Sequence, residues 1–288
     1  MPTPTRRVLS DQEELARTVA LAAIDTIATI QAEGSGAHGD GEPRVVVTGG
    51  GAGHAGLGEG ATPGGGGAAG AGGGGEPRVV VTGGRTGIAV LEELARLERA
   101  AAAQADSFPA TRIDWSRLWV FFGDERAVPV THPESNQGQA RAALLNEVPI
   151  PEARIVGIDV HEGDRVDAAA RNYAAAIEKI APEGFDLHLL GLGPEGHVNS
   201  LFPGSAATAE DEALTAAVHD SPKPPPQRVT LTLPAVRRAD RVWLLAAGEE
   251  KREAARLAAG DADPNEVPAA GARGRAETVL FLTEDAAG

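Results

Sequence analysis

From Arg78 to the C-terminus the chain alternates short apolar runs with amphipathic stretches, and this alternation restricts the fold more than any other feature. The apolar runs are RVVVT from Arg78, RLWVFFG from Arg117, ARIVGID from Ala153, FDLHLLG from Phe185, RVTLTL from Arg228, DRVWLLAAG from Asp240 and ETVLFL from Glu277. Between them lie segments with helical spacing. One starts at Thr86 and carries Ile88, Leu91, Leu94 and Leu97 or Glu98 at helical spacing. Others are NQGQARAALLNEV after the capping residue Ser135, RVDAAARNYAAAIEKIA from Arg165, and EEKREAARLAA from Glu249. Continuous apolar strands separated by helices predict a mainly parallel sheet with helices on both faces, an α/β architecture in a single domain. Before Arg78 the chain offers a short strand at Arg6–Leu9. The helix ELARTVALAAIDTIATIQ follows, with Ser10 and Glu13 at capping-box spacing.

One region breaks the pattern. From Gly34 to Gly75, 20 of 42 residues are glycine. Glycine loses the most entropy on folding and has no side chain to bury, so a flexible insertion over about 34–77 is expected within one domain spanning 1–288. The decapeptide GEPRVVVTGG occurs on both sides of this tract, at Gly41–Gly50 and at Gly75–Gly84. Only the second copy is followed by a sequence able to form a helix, so Val79–Gly84 is the copy expected to supply strand and loop. The first reads as the remnant of a tandem duplication.

The formal charge of −15 argues against nucleic acid and against anionic membranes. A small anion can still bind where basic groups and backbone amides converge. The chain has no cysteine, which removes disulfides, thiolate catalysis and Cys-ligated zinc, and fits a reducing cytoplasm. The N-terminus turns acidic where a secretory signal needs an apolar run, and no uninterrupted run of about 18 apolar residues is present. None of the seven histidines stands at a metal-binding spacing, and no G-x-S-x-G elbow is present.

In open α/β sheets ligands bind beyond the carboxyl ends of the strands, which selects three loops. Thr82-Gly83-Gly84-Arg85-Thr86 is a glycine turn opening a helix, suited to an anion but lacking the lysine of a P-loop. Asp124, Glu125 and Arg126 put two carboxylates and a guanidinium directly after Gly123. Gly191-Leu192-Gly193-Pro194-Glu195-Gly196-His197 ends in a histidine where a helix could begin, able to take a proton from water near neutral pH. Lys223, in SPKPPP, is a point charge held among prolines. Each feature alone is an ordinary turn; their order along one chain is not ordinary.

Four stretches together, VVVTGGRTGIAVL, WSRLWVFFGDERAVPVTHPESNQGQARAALLNEVPIP, FDLHLLGLGPEGHVNSLFPGS and SPKPPPQRVTLTLPA, resemble the 6-phosphogluconolactonase family, hydrolases of the pentose phosphate pathway. The resemblance implies a Rossmann-like α/β fold shared with sugar-phosphate isomerases and amino-sugar-phosphate deaminases. It implies His197 as general base, Asp124 and Arg126 as active-site partners, and Gly83, Gly84, Arg85, Thr86 and Lys223 around the substrate phosphate. Asn136 and Ser200 fall within the family's motifs and are expected in the pocket. No cofactor and no metal are implied. The partner is a small phosphorylated sugar lactone, and the assembly a monomer or homodimer. Arg85-Thr86 departs from the smaller residues common in the family. An amino-sugar-phosphate deaminase would carry a pattern like G-H-I-A-F-N-E-P where this chain reads GHVNSLFPG. A catalytically silent sugar-phosphate sensor is the alternative from another class, usually joined to a DNA-binding segment.

Overall fold

A computed structural model describes residues 1–34, 75–103, 113–160 and 165–288. Seven strands form one sheet: β1 (Thr5–Leu9), β2 (Arg78–Val81), β3 (Trp119–Phe122), β5 (Ile155–Val156), β6 (Leu187–Gly191), β9 (Arg241–Ala246) and β10 (Glu277–Thr283). Their order is β1-β10-β9-β6-β2-β3-β5, and every neighbouring pair is parallel. Successive side chains on a strand point to opposite faces. Val79, Val80 and Val81 are all buried, as are Val242 to Ala246. Both faces of the sheet centre are therefore covered, which is why these strands read as unbroken apolar runs.

Helices α1 (Gln12–Gly34) and α2 (Gly84–Ala103) pack on one another, α1 also against β10 and α2 against β6 and β9. By length and composition α1 is apolar enough to cross a membrane. Here Leu15, Val19, Ile24 and Ile27 are buried in the core, so the helix spends its apolar face on packing. Its N-terminal cap sits one residue later than the Ser10–Glu13 spacing predicts. The Asp11 carboxylate accepts from the Glu14 amide at 2.9 Å, and the Glu14 carboxylate reaches back to the Ser10 amide at 2.7 Å. In S-D-Q-E-E both registers are available, and an ionised carboxylate is the stronger acceptor.

A second, antiparallel sheet was not foreseen. β4 (Asp124–Arg126), β8 (Arg228–Leu231) and β7 (Thr215–Val218) form it in the order β4-β8-β7. The charged turn read after Gly123 is thus a strand. Gly123 joins the two sheets: its N–H donates to Val81 O at 3.2 Å and its carbonyl accepts from Leu231 N at 2.8 Å. Helix α4 (Val166–Ile180) packs against β7 and β8. It supplies the single tyrosine, whose hydroxyl accepts from Phe122 N at 2.9 Å and donates to Phe122 O at 2.8 Å. β5 is too short to pair with Phe122, so the buried Tyr173 hydroxyl completes the ladder there.

The segment after Ser135 is a short helix, α3 (Asn136–Ala140), running into a π turn at Arg141–Leu145. No helix begins at His197; residues 194–204 are turns held by a Val198–Leu201 bridge.

The second copy of the decapeptide supplies β2 in the centre of the sheet, and the first copy lies outside the described residues, as do most residues of the expected insertion. The packed structure extends further on both sides than about 34–77 implies. Gly34 belongs to α1, and Glu76 forms a two-point ion pair with Arg154, each contact 2.8 Å. The Arg154 hydrogen bonds hold the Glu76 carboxyl down at about 2. Gly75, at φ +74°, lies so close to Gly34 that a Cβ there would be 2.8 Å from Gly34 Cα.

Candidate active site

The strand order reverses direction between β2 and β6: the chain runs outward from β2 through β3 to β5, and from β6 through β9 to β10 on the other side. Loops leaving the carboxyl ends of β2 and β6 diverge at such a switch point and open a crevice. The Gly191 amide donates to Thr82 Oγ1 at 3.2 Å across its floor. Above it lies a cavity of about 550 Å³.

Helix α2 starts at Gly84, which takes φ +77° and has open space on its Cβ side. A long helix presents free N–H groups and a partial positive charge at this end. Gly83, Gly84, Arg85 and Thr86 all line the cavity there. Lys223 joins them from the proline loop, whose shape Arg228 holds. The Arg228 guanidinium donates to the carbonyls of Lys223 (2.7 Å), Pro224 (3.2 Å) and Pro225 (3.0 Å).

Because β4 is a strand, alternation puts Asp124 and Arg126 on one face and Glu125 on the other. Asp124 and Arg126 line the cavity. Glu125 turns away and accepts from the amides of Asn136 and Gln137, both at 2.8 Å, and from Ser135 Oγ at 2.9 Å. Burial pushes its carboxyl upward against those bonds. Glu125 and Ser135 together fix the start of α3 and so place Asn136. The Asn136 amide donates to Asp124 Oδ1 at 2.8 Å and accepts from Arg126 Nη1. Ser200 Oγ donates to Asp124 Oδ2 at 2.6 Å. Asn136 lines the cavity; Ser200, fully buried, stands behind Asp124.

His197 is held from three sides. Its ring stacks on Phe202 with centroids 4.7 Å apart. Nδ1 lies 3.1 Å from Glu195 Oε2 and 3.5 Å from Lys223 Nζ. Lys223 Nζ is in turn 2.8 Å from Glu195 Oε1. Burial raises the Glu195 carboxyl, but the Lys223 and His197 contacts outweigh it and hold it down at about 2. Burial, then the Lys223 charge, lowers His197 below the ordinary histidine value, with Glu195 and Asp124 pulling the other way. A carboxylate only accepts hydrogen bonds, so it selects the tautomer with the proton on Nδ1 and leaves the lone pair on Nε2.

Three strand-end glycines make room for these groups. A Cβ on Gly83 would collide with Asn136 Oδ1, one on Gly123 with Asn199 Oδ1, and one on Gly193 with His197 Nδ1.

The cavity also contains residues that the sequence did not single out: Arg228, Asn199 and Lys251. Arg228 stands directly opposite Arg126 in the β4–β8 register, a pairing that no linear spacing encodes. Lys251 follows the carboxyl end of β9, where the strand-end rule could have found it; burial lowers its ammonium. Arg85, Arg126, Lys223, Arg228 and Lys251 give a strongly acidic chain one basic cavity. Among the described residues no group of three or more His, Asp or Glu side chains is arranged to hold a metal ion.

Residues 70–281 match the family described as glucosamine-6-phosphate isomerases/6-phosphogluconolactonase. A 6-phosphogluconolactonase of Mycobacterium tuberculosis is 50% identical over 189 residues, 63% of this chain and 76% of that protein. The Streptomyces coelicolor 6-phosphogluconolactonase is 46% identical over 196 residues (65% and 75%), and the human one 39% over 191 residues (65% and 72%). The crystal structure of a Thermotoga maritima 6-phosphogluconolactonase superposes with a TM-score of 0.67 at 24% identity, covering 98% of this chain and 100% of that one. A monomeric glucosamine-6-phosphate deaminase superposes with a TM-score of 0.70 at 17% identity, covering 98% of each chain. The same fold therefore carries both names, while the mycobacterial, Streptomyces and human relatives are named as lactonases. The chain belongs to the glucosamine-6-phosphate isomerase/6-phosphogluconolactonase family.

Proposed function

We propose that the cavity hydrolyses the ring ester of 6-phosphogluconolactone, giving 6-phosphogluconate. The observation that carries this reading is His197, paired with Glu195 at 3.1 Å, on the wall of a basic cavity at the switch point. Lactonase relatives at up to 50% identity support lactone hydrolysis as the reaction class.

In this reading the substrate phosphate lies at the start of α2, against the free amides after Gly83, with Arg85, Lys223 and Lys251 as countercharges. The lactone carbonyl then extends toward Arg126. His197 Nε2 takes a proton from water as the water oxygen bonds to the carbonyl carbon. The Arg126 guanidinium, oriented by Asn136, stabilises the oxyanion of the tetrahedral intermediate. The intermediate collapses, the bond from the carbonyl carbon to the ring oxygen breaks, and His197 returns its proton to that oxygen. Asp124 supplies a fixed negative charge that favours the transient imidazolium. A histidine kept below its ordinary pKa is unprotonated at neutral pH, as a base must be.

The test follows acid release, or coupled oxidation of the product, with freshly generated lactone. The protein is expected to exceed the spontaneous rate, and His197→Ala to lose most of that excess. A wild-type rate equal to the blank overturns the reading; a fully active His197→Ala overturns only the base.

A further inference from the structure

Among the described side chains lining the cavity, Asn199 alone has every polar atom both buried and without a hydrogen-bond partner. Its backbone lies at φ +51°, and it is the one non-glycine residue with positive φ among those described. The residue is 8% exposed and lines the cavity, yet neither Oδ1 nor Nδ2 finds a hydrogen-bond partner among the described residues. Asn136, by contrast, engages both ends of its amide. The Asn199 amide occupies the space above Gly123, where any larger residue would collide with it. A buried amide without partners is unfavourable, because its desolvation is repaid by nothing. Asparagine tolerates the left-handed region, but glycine tolerates it better, so backbone shape alone does not account for an amide here.

We propose that Asn199 reads the ring hydroxyls of the substrate: its amide turns from above Gly123 toward the cavity and pairs with a sugar hydroxyl, or with two neighbouring ones. The chemistry of the unmet groups selects this ligand. An amide offers an acceptor and a donor side by side, and a hydroxyl or vicinal diol offers the complementary pair. A phosphate or carbonyl oxygen would meet only Nδ2. The phosphate already has the cationic end of the cavity, and the carbonyl has Arg126. Asn199 is thus a specificity-determining residue for a polyhydroxylated lactone, and this inference rests on the lactonase reading above.

The test uses Asn199→Gly, which keeps the left-handed backbone and removes the amide, and Asn199→Asp, which keeps shape and acceptor but removes the donor. Both are compared with wild type on 6-phosphogluconolactone and on its 2-, 3- and 4-deoxy analogues. Asn199→Gly should lower kcat/KM on the parent lactone about 5- to 30-fold, the range of one or two neutral hydrogen bonds. It should lose little on the analogue lacking the hydroxyl that Asn199 reads, so that wild-type discrimination against that analogue collapses. Asn199→Asp should fall between the two. Unchanged kcat/KM on the parent lactone, or equal losses on all four substrates, would overturn the proposal and leave Asn199 a turn residue. A wild-type protein no faster than the blank removes the lactonase reading and this inference with it.

Discussion

Two histidines belong to one strand–loop unit and have opposite surroundings. His188 lies within β6, fully buried, its ring 5.9 Å from that of Phe185, with neither nitrogen hydrogen-bonded among the described residues. His197, beyond the end of the strand, keeps 18% of its side chain exposed and faces a carboxylate and an ammonium. Burial leads the downward shift of both, taking His188 to about 3. What separates them is the partners. A histidine with nothing to give or take a proton is a hydrophobic filler; one with an oriented proton on Nδ1 has a free lone pair on Nε2.

Removing the imidazoles should separate activity from stability. His197→Ala is expected to reduce kcat/KM by about 10²- to 10⁴-fold, the usual contribution of a positioned base. His188→Leu should leave kcat/KM near wild type, and a comparable loss there would erase the distinction. Gly193→Ala tests placement without touching the base: its methyl collides with the ring, and a misplacement of about 1 Å can cost about 10²-fold. Glu195→Gln should cost about 10- to 100-fold, the range for a hydrogen bond to a charged group. Glu195 raises the His197 pKa, so its removal moves the acid limb of the pH–rate profile to lower pH. A limb that moves up would contradict the assignment.

His188 makes the smaller, thermodynamic prediction. Its folded pKa is below the unfolded value of 6.5, so between about 3 and 6.5 the unfolded chain binds the extra proton. Stability from this site is complete above 6.5 and falls as pH drops, by up to about 1.4 kcal/mol per pH unit. Denaturant titrations from pH 7 to 4.5 should show that slope reduced most in His188→Leu and less in His197→Ala, whose imidazole is also held below its ordinary value. The smallest effect is expected on deleting residues 41–74: kcat/KM and midpoint should stay close to wild type. A folded deletion variant with activity lost would give the first decapeptide copy a role.

The parallel sheet was legible because its central strands are buried on both faces, so Val79–Val81 and Val242–Ala246 announce themselves as apolar runs. The antiparallel sheet was not. Its first strand is three charged residues and its last is TAAV, neither with a hydrophobic signature. That sheet nonetheless aligns Asp124 with Arg126 and brings Arg228 opposite. Candidate residues at strand ends could therefore be read from the chain. Those delivered by pairing, such as Arg228, or by an unmatched amide, such as Asn199, needed three dimensions.

Gly34 and Gly75 stand side by side, tied by Arg117 Nη2, which donates to Gln31 O at 3.2 Å and Gly75 O at 2.8 Å. Two points of the chain held this close set no end-to-end distance for the sequence between them to span. In general, each doubling of a flexible connection between two neighbouring points costs about 0.6 kcal/mol in closure entropy. A duplication of the decapeptide and its glycine tract is thus a change the enzyme scaffold can absorb. The same joint is a natural port for grafting a reporter or an affinity module, because its two ends already lie together.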